Sequence, residues 1–259
     1  MDLKRELQRL TNHQYFTITK RGNAAIKAAI KLVGGSILVP QEGGWLSYKK
    51  SKFETVKCKD AKIDLRDLER QLKTNKFTAL LYQNPGGYFA QQPMQEIYKL
   101  CQKHNCLVIL DCSAGIGTEL CDGNFADILV CSFGRWKLVD LGATGFISCK
   151  DRELFDKISV EKIDDPRIIS AIKEKIDRLP SRINFLLEKR RKVIADLHDL
   201  NILHRKDLGF VVIVAFNTQS EKKAIIQYCE NNDLDYTECP RYIRVNKPAI
   251  SIEIKRLSS

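Results

Sequence analysis

Between about residue 20 and residue 150 the chain alternates short apolar runs with stretches whose apolar positions recur every three or four residues. The short runs, bounded by Gly, Pro and Asn, read as buried strands, and the periodic stretches read as amphipathic helices. The pattern predicts strands over 36–39, 78–82, 106–110, 128–131 and 143–148, with helices over 23–33, 64–73 and 93–104 between them. Strands separated by helices build a mostly parallel sheet covered on both faces, since a parallel neighbour is reached only through a crossover. From 166 to 200 a charged segment keeps helical periodicity, with Pro180 as its one strong breaker. Residues 210–216, 221–231 and 242–255 then read as strand, helix and strands. The expected class is therefore α/β, with a large domain over 1–165 and a linker helix plus small α+β domain over 166–259.

Composition narrows the class of partner. A chain of 259 residues can bury a substantial core, and 44% hydrophobic with 29% charged residues is ordinary for a soluble globular protein. No apolar run approaches the roughly 20 residues that span a bilayer. The start, Met1-Asp2-Leu3-Lys4-Arg5-Glu6, alternates charged with apolar residues and lacks a secretory h-region, so a cytoplasmic protein is expected. Nine cysteines, an odd number scattered through strands and helices, suit a reducing compartment better than a disulfide framework, and without any CxxC pair they predict no metal site. The net charge of +11 would suit a nucleic acid. However, the basic residues are spread along the chain. The one compact run, Lys189-Arg190-Arg191-Lys192, has no interleaved aromatic to stack bases and reads as a solvated helix face.

Residues able to carry chemistry gather where strands are expected to end. Cys131-Ser132-Phe133-Gly134-Arg135-Trp136-Lys137 follows a strand, so Lys137 falls in a loop at the carboxyl edge of the sheet, where open parallel sheets bind ligands. A lysine amine forms an imine with a carbonyl cofactor if burial or a neighbouring cation lowers its pKa, and Arg135 is the expected neighbour. Asp111 ends the apolar run Val108-Ile109-Leu110 and either caps the following turn or pairs with a buried cation. Asn84, in Gln83-Asn84-Pro85-Gly86-Gly87, is turn chemistry that could also reach a ligand. Gly22 and Asn23 open a helix whose free N–H groups could cradle a phosphate or be a plain helix start. Trp45 stands beside two glycines.

In this order the segments resemble the type I fold of pyridoxal 5'-phosphate (PLP) enzymes, the aspartate aminotransferase superfamily. Thr19-Lys20-Arg21-Gly22-Asn23-Ala24-Ala25-Ile26 and Pro40-Gln41-Glu42-Gly43-Gly44-Trp45 are similar to the DegT/DnrJ/EryC1/StrS-like aminotransferase branch. The Asn-Pro-Gly turn is closer to the aspartate aminotransferase branch. The resemblance implies a seven-stranded, mostly parallel sheet and PLP as the cofactor. It further implies that Lys137 is the catalytic Schiff-base lysine, that Gly22, Asn23 and Ser132 bind phosphate, and that Trp45 covers the pyridine ring. Asn84 would meet the ring oxygen and Asp111 the ring nitrogen. Pro240-Arg241-Tyr242-Ile243-Arg244 resembles the place from which an arginine meets a substrate carboxylate, with Arg244 the choice, Arg241 the alternative and solvated strand charge the competing reading. Ala114 departs from the pattern, because a His or Gln is common three residues beyond the aspartate.

The function so implied is an aminotransferase: an amino donor and a keto acceptor would exchange nitrogen through Lys137, in a homodimer. A PLP lyase or cysteine desulfurase needs the same lysine, and for desulfuration a mobile thiol, for which Cys239 is the candidate. A basic, non-catalytic binding protein on the same fold is the third reading.

Overall fold

A computed structural model describes residues 2–258; Met1 and Ser259 lie outside the described residues. In chain order the elements are α1 (Leu3–Thr11), β1 (Tyr15–Thr19), α2 (Gly22–Val33), β2 (Ser36–Pro40), β3 (Phe53–Val56), β4 (Cys58–Lys59), β5 (Lys62–Ile63), α3 (Leu65–Leu72) and β6 (Phe77–Gln83). Then follow α4 (Met94–Lys103), β7 (Leu107–Asp111), β8 (Ile128–Ser132), β9 (Gly145–Cys149), α5 (Arg152–Asp156), α6 (Pro166–Asp177) and α7 (Leu179–Asp196). The chain ends with β10 (Asn201–Ile202), β11 (Val212–Ala215), α8 (Gln219–Asn231), β12 (Tyr236–Cys239) and β13 (Ala249–Ile252).

Seven strands form one sheet in the order β1-β9-β8-β7-β6-β2-β3. Pairing is parallel from β8 through β7, β6 and β2 to β3, and only the pairs made by β9 are antiparallel. Every predicted strand of the large domain is present. The pattern missed α1, the edge strands β1 and β3, and the short β4–β5 ribbon. Between 242 and 255 it also merged a loop with β13, while β12 begins earlier, at Tyr236. Pro180 does break the charged helical segment: α6 ends at Asp177 and α7 restarts at Leu179 with the proline in its first turn, where a missing N–H costs nothing. The second sheet, β10-β11-β13-β12, is wholly antiparallel, with α7 against β11 and α8 against β13.

Strand alternation divides the core between the two faces of the large sheet. Leu80, Tyr82, Val108, Leu110, Leu129 and Cys131 point to one layer, and Ala79, Leu81, Ile109, Ile128 and Val130 to the other. The second layer is closed by α2, whose Ala25, Ala28 and Ala29 are buried against β8 and β9. Small side chains there bring the helix close to the sheet, so its N-terminus arrives at the carboxyl ends of the central strands.

Candidate active site

That alternation also decides which strand-end side chains meet. Gln83 pairs with Asp111 across β6 and β7, and both continue the face covered by α2, as does Ser132 at the end of β8. With a side-chain period of two, one further residue reverses the direction. Gln83, Asp111 and Ser132 therefore line one cavity of about 200 Å³, together with Arg21, Gly22, Asn23, Trp45, Ser113, Lys137 and Thr144.

One end of this cavity is made for an anion. No side chain caps α2: Ala24 and Ala25 donate back to the Arg21 carbonyl, and Gly22 and Asn23 precede them with helix N–H groups at the positive end of the dipole. Gly22 lies so close to Ser132 that an added Cβ would overlap the serine's Cα, Cβ and Oγ. The Ser132 hydroxyl accepts from Gly134 N–H at 3.2 Å, and the Thr144 hydroxyl is buried without a partner among the described residues.

At the other end Asp111 is fixed from two sides. Tyr48 donates its hydroxyl to Oδ2 at 2.5 Å, and Ser113 N–H donates to Oδ1 at 2.9 Å. Burial, then the Asp111 charge, pushes the Tyr48 phenol well above its ordinary pKa, so it remains a donor. Trp45 presents its indole to the cavity and is held by an Nε1–H bond of 2.8 Å to Asn23 Oδ1, which also accepts from Ser47 at 3.2 Å. The Asn23 side chain therefore orients Trp45, leaving its backbone N–H as the group that can serve an anion.

Lys137 enters from the loop after β8, with its Nζ 5.3 Å from the Trp45 ring centroid and hydrogen-bonded to the Tyr88 hydroxyl. Its expected environment needs correction. Burial pulls the amine down, but Tyr88 and Asp111 more than offset this and raise it, against a smaller opposing effect of Arg244. Arg135 lies instead against Trp136 and lines a different cleft.

Two other expectations are placed elsewhere. Asn84, one residue past Gln83, turns away from the cavity: its Nδ2 donates to the Leu120 carbonyl at 3.2 Å and its Oδ1 accepts from Gln92 N–H at 2.9 Å. Both ends of the amide are engaged in holding the turn. Gln83, which the sequence reading passed over, lines the cavity with its Nε2 buried and unpartnered among the described residues. Arg244 is buried in the small domain and donates to Glu253 Oε1 and Oε2 at 2.9 and 2.7 Å, to Ser251 at 3.0 Å and to the Ile243 carbonyl at 2.8 Å. Its fork is filled from within, and Arg241 is exposed. Cys239 is buried at the end of β12 and burial raises its thiol pKa, the reverse of a mobile, reactive thiol. Ala114 is fully buried, in the apolar cluster that also holds Tyr88 and Phe89.

These donors fit PLP. An uncapped helix start, Ser132 and Thr144 face one end, a clamped carboxylate faces the other, an indole lies on the side, and two orphan donors await acceptors. An unpaired buried donor costs about 1–3 kcal/mol, which a bound acceptor relieves.

The comparisons place this geometry among known proteins. Residues 49–163 match the DegT/DnrJ/EryC1/StrS aminotransferase family, and residues 167–259 match the MJ1341 family C-terminal domain. No curated protein sequence matches. Among solved structures, a putative sugar aminotransferase from Streptococcus pneumoniae in its PLP form is 14% identical with a TM-score of 0.72, covering 99% of this chain and 86% of its own. Alanine–glyoxylate aminotransferase from Nostoc sp. is 13% identical, with a TM-score of 0.72 and coverage of 97% and 80%. Serine palmitoyltransferase from Sphingomonas wittichii is 13% identical, with a TM-score of 0.73 and coverage of 96% and 69%.

Proposed function

We propose that this chain, which has the PLP-dependent type I fold and carries a DegT/DnrJ/EryC1/StrS aminotransferase domain, is an aminotransferase working through Lys137. The observation that carries the reading is the convergence of Lys137, Asp111, Ser132 and the α2 start on one cavity. PLP, when bound, supplies an electron sink for the carbon next to the amino group.

The chain's own residues do the rest. Gly22 and Asn23 N–H groups, with the Ser132 and Thr144 hydroxyls, hold the phosphate. Asp111, clamped by Tyr48 and Ser113, holds the proton on the ring nitrogen. Trp45 covers the ring, and Gln83 rather than Asn84 donates to its oxygen substituent. Lys137 carries the cofactor, then moves a proton at the substrate α-carbon, with the Tyr88 hydroxyl positioning its amine. Arg21 lines the same cavity, and we assign to it the substrate carboxylate in place of Arg244 or Arg241. The reading includes a division at 165/166, a homodimer and a cytoplasmic location.

The test is a half-reaction. PLP-loaded protein is mixed with single amino acids, without a keto acceptor, and the oxo product is quantified. One equivalent of oxo acid per site, with turnover restored by adding a keto acid, is expected. Sulfide from cysteine, or continuous ammonia release, would replace this reading with desulfuration or elimination.

A further inference from the structure

Behind the lysine loop lies a second cleft, of about 820 Å³, which the proposed reaction does not use. Its walls are the loop from Arg135 to Asp140, the junction of α6 with α7, and the end of the chain at 256–258. Five cations line it, Arg135, Lys175, Arg178, Arg182 and Arg256, against two carboxylates, Asp140 and Asp235. Those carboxylates answer the cluster only in part. Asp140 accepts the backbone N–H groups of Trp136 at 2.7 Å and Gly142 at 3.1 Å, and Asp235 stands 3.5 Å from Arg256 alone. Arg178 pairs outward with Glu174 at 2.8 Å, and Arg182 donates to the carbonyls of Lys255 and Leu257. Arg135 and Lys175 are exposed, with no ion-pair partner among the described residues.

Trp136 gathers several cations. The guanidinium carbons of Arg135 and Arg256 each lie 4.5 Å from its ring centroid, and Lys255 Nζ lies 5.7 Å away. The residue holds a φ of 64°, a left-handed conformation unfavourable for a bulky side chain. Glu253 Oε2 answers two of these cations, 3.4 Å from Lys255 Nζ and 3.8 Å from Arg256 Nε, so the charge left for a ligand is that of Arg135 on the indole and Lys175 in the cleft wall. Guanidinium forks match phosphate oxygens, and a cleft of this size encloses a small molecule rather than a polymer.

We propose that this cleft binds a small organic anion carrying at least two phosphate charges. Because Arg135, Trp136 and Lys137 are consecutive, the ligand that grips the first two also fixes the loop presenting Lys137; only this consequence rests on the proposed function, whereas the binding does not.

The probe is inorganic pyrophosphate, titrated calorimetrically into PLP-loaded protein. One equivalent should bind, and the double variant Arg135→Ala/Lys175→Ala, which removes two exposed, unpaired side chains, should keep its melting temperature and weaken binding at least tenfold. Ser132→Ala, altering the cofactor's phosphate cradle, should leave pyrophosphate affinity unchanged. Lys137→Ala should also bind pyrophosphate as wild type does, so failure of the lysine reading and failure of the anion site are read separately. Equal affinity in the double variant, loss of binding with Ser132→Ala, or no binding to wild type would overturn the proposal. So would an RNA oligonucleotide that binds through Arg135 and Lys175 while pyrophosphate does not.

Discussion

Removing the Arg244 side chain should destabilise the fold, because its guanidinium serves Glu253. In the pair, the glutamate side chain is 0% exposed and the arginine 4%. Arg244→Ala would leave a buried carboxylate without its main partner, a change that typically costs 3–5 kcal/mol. Lys255 at 3.4 Å and Arg256 at 3.8 Å remain beside Glu253, so the lower end, about 3 kcal/mol, is expected. In a chain of this size that lowers Tm by roughly 6–12 °C.

The pH dependence gives a second reading of the same change. Burial would raise the Glu253 pKa, but Arg244 and then Lys255 overcome this and bring it to about 2. A folded value below the unfolded one, about 4.3, means that the wild-type pair stabilises above that pH and loses its contribution as pH falls toward 2. Without Arg244, burial should lift Glu253 above its unfolded value. The variant's deficit should then be largest at pH 7 and shrink toward pH 4. Thermal unfolding of wild type, Arg244→Ala and Arg244→Met/Glu253→Met across this range is the assay, with the double variant recovering much of the loss. An Arg244→Ala protein with wild-type Tm and only a raised KM for the amino acid would refute the reasoning and return Arg244 to the substrate.

Gln83→Leu should stabilise cofactor-free protein by about 1 kcal/mol, since it removes an orphan donor, yet weaken PLP retention about tenfold; a variant that binds PLP as wild type does would contradict the assignment. Gly22→Ala should cost about 1–3 kcal/mol by forcing α2 off Ser132, and PLP dissociation monitored by visible absorbance should accelerate; unchanged values for both would count against the close approach. Lys255, brought to about 7 by burial against the pull of Glu253, holds a costly charge at lower pH, and that penalty fades as pH rises toward the unfolded value of about 10.4. Wild type should therefore gain stability relative to Lys255→Met between pH 7 and 10 in denaturant titrations, and a constant difference would show that the amine is not depressed.

Much of the large domain was legible because its buried strands are continuous apolar runs whose ends are marked by polar residues. That pattern put Asp111 at a strand end, while its place at the cavity, like that of Ser132, was expected only from the resemblance. Asn84 was misplaced: the choice between it and Gln83 depends on where β6 ends, and a one-residue extension reverses which side chain faces α2. Alternation from Ala79 and Leu81 was the signal that points to Gln83. Tyr88 was hidden because a turn residue's contact with Lys137 depends on the path of the loop, not on any periodicity. Arg244 was misplaced for a related reason. An arginine in this stretch looks the same in sequence whether its partner is a ligand or, as here, a glutamate nine residues later.

The central claim is that Lys137 carries the cofactor, and the site of covalent attachment tests it most directly. Protein loaded with PLP, reduced with borohydride and digested should show the added mass on the peptide containing Lys137, with none fixed in Lys137→Ala. Attachment at another amine, the buried Lys255 above all, or a wild-type protein that fixes no cofactor after loading, would contradict the account.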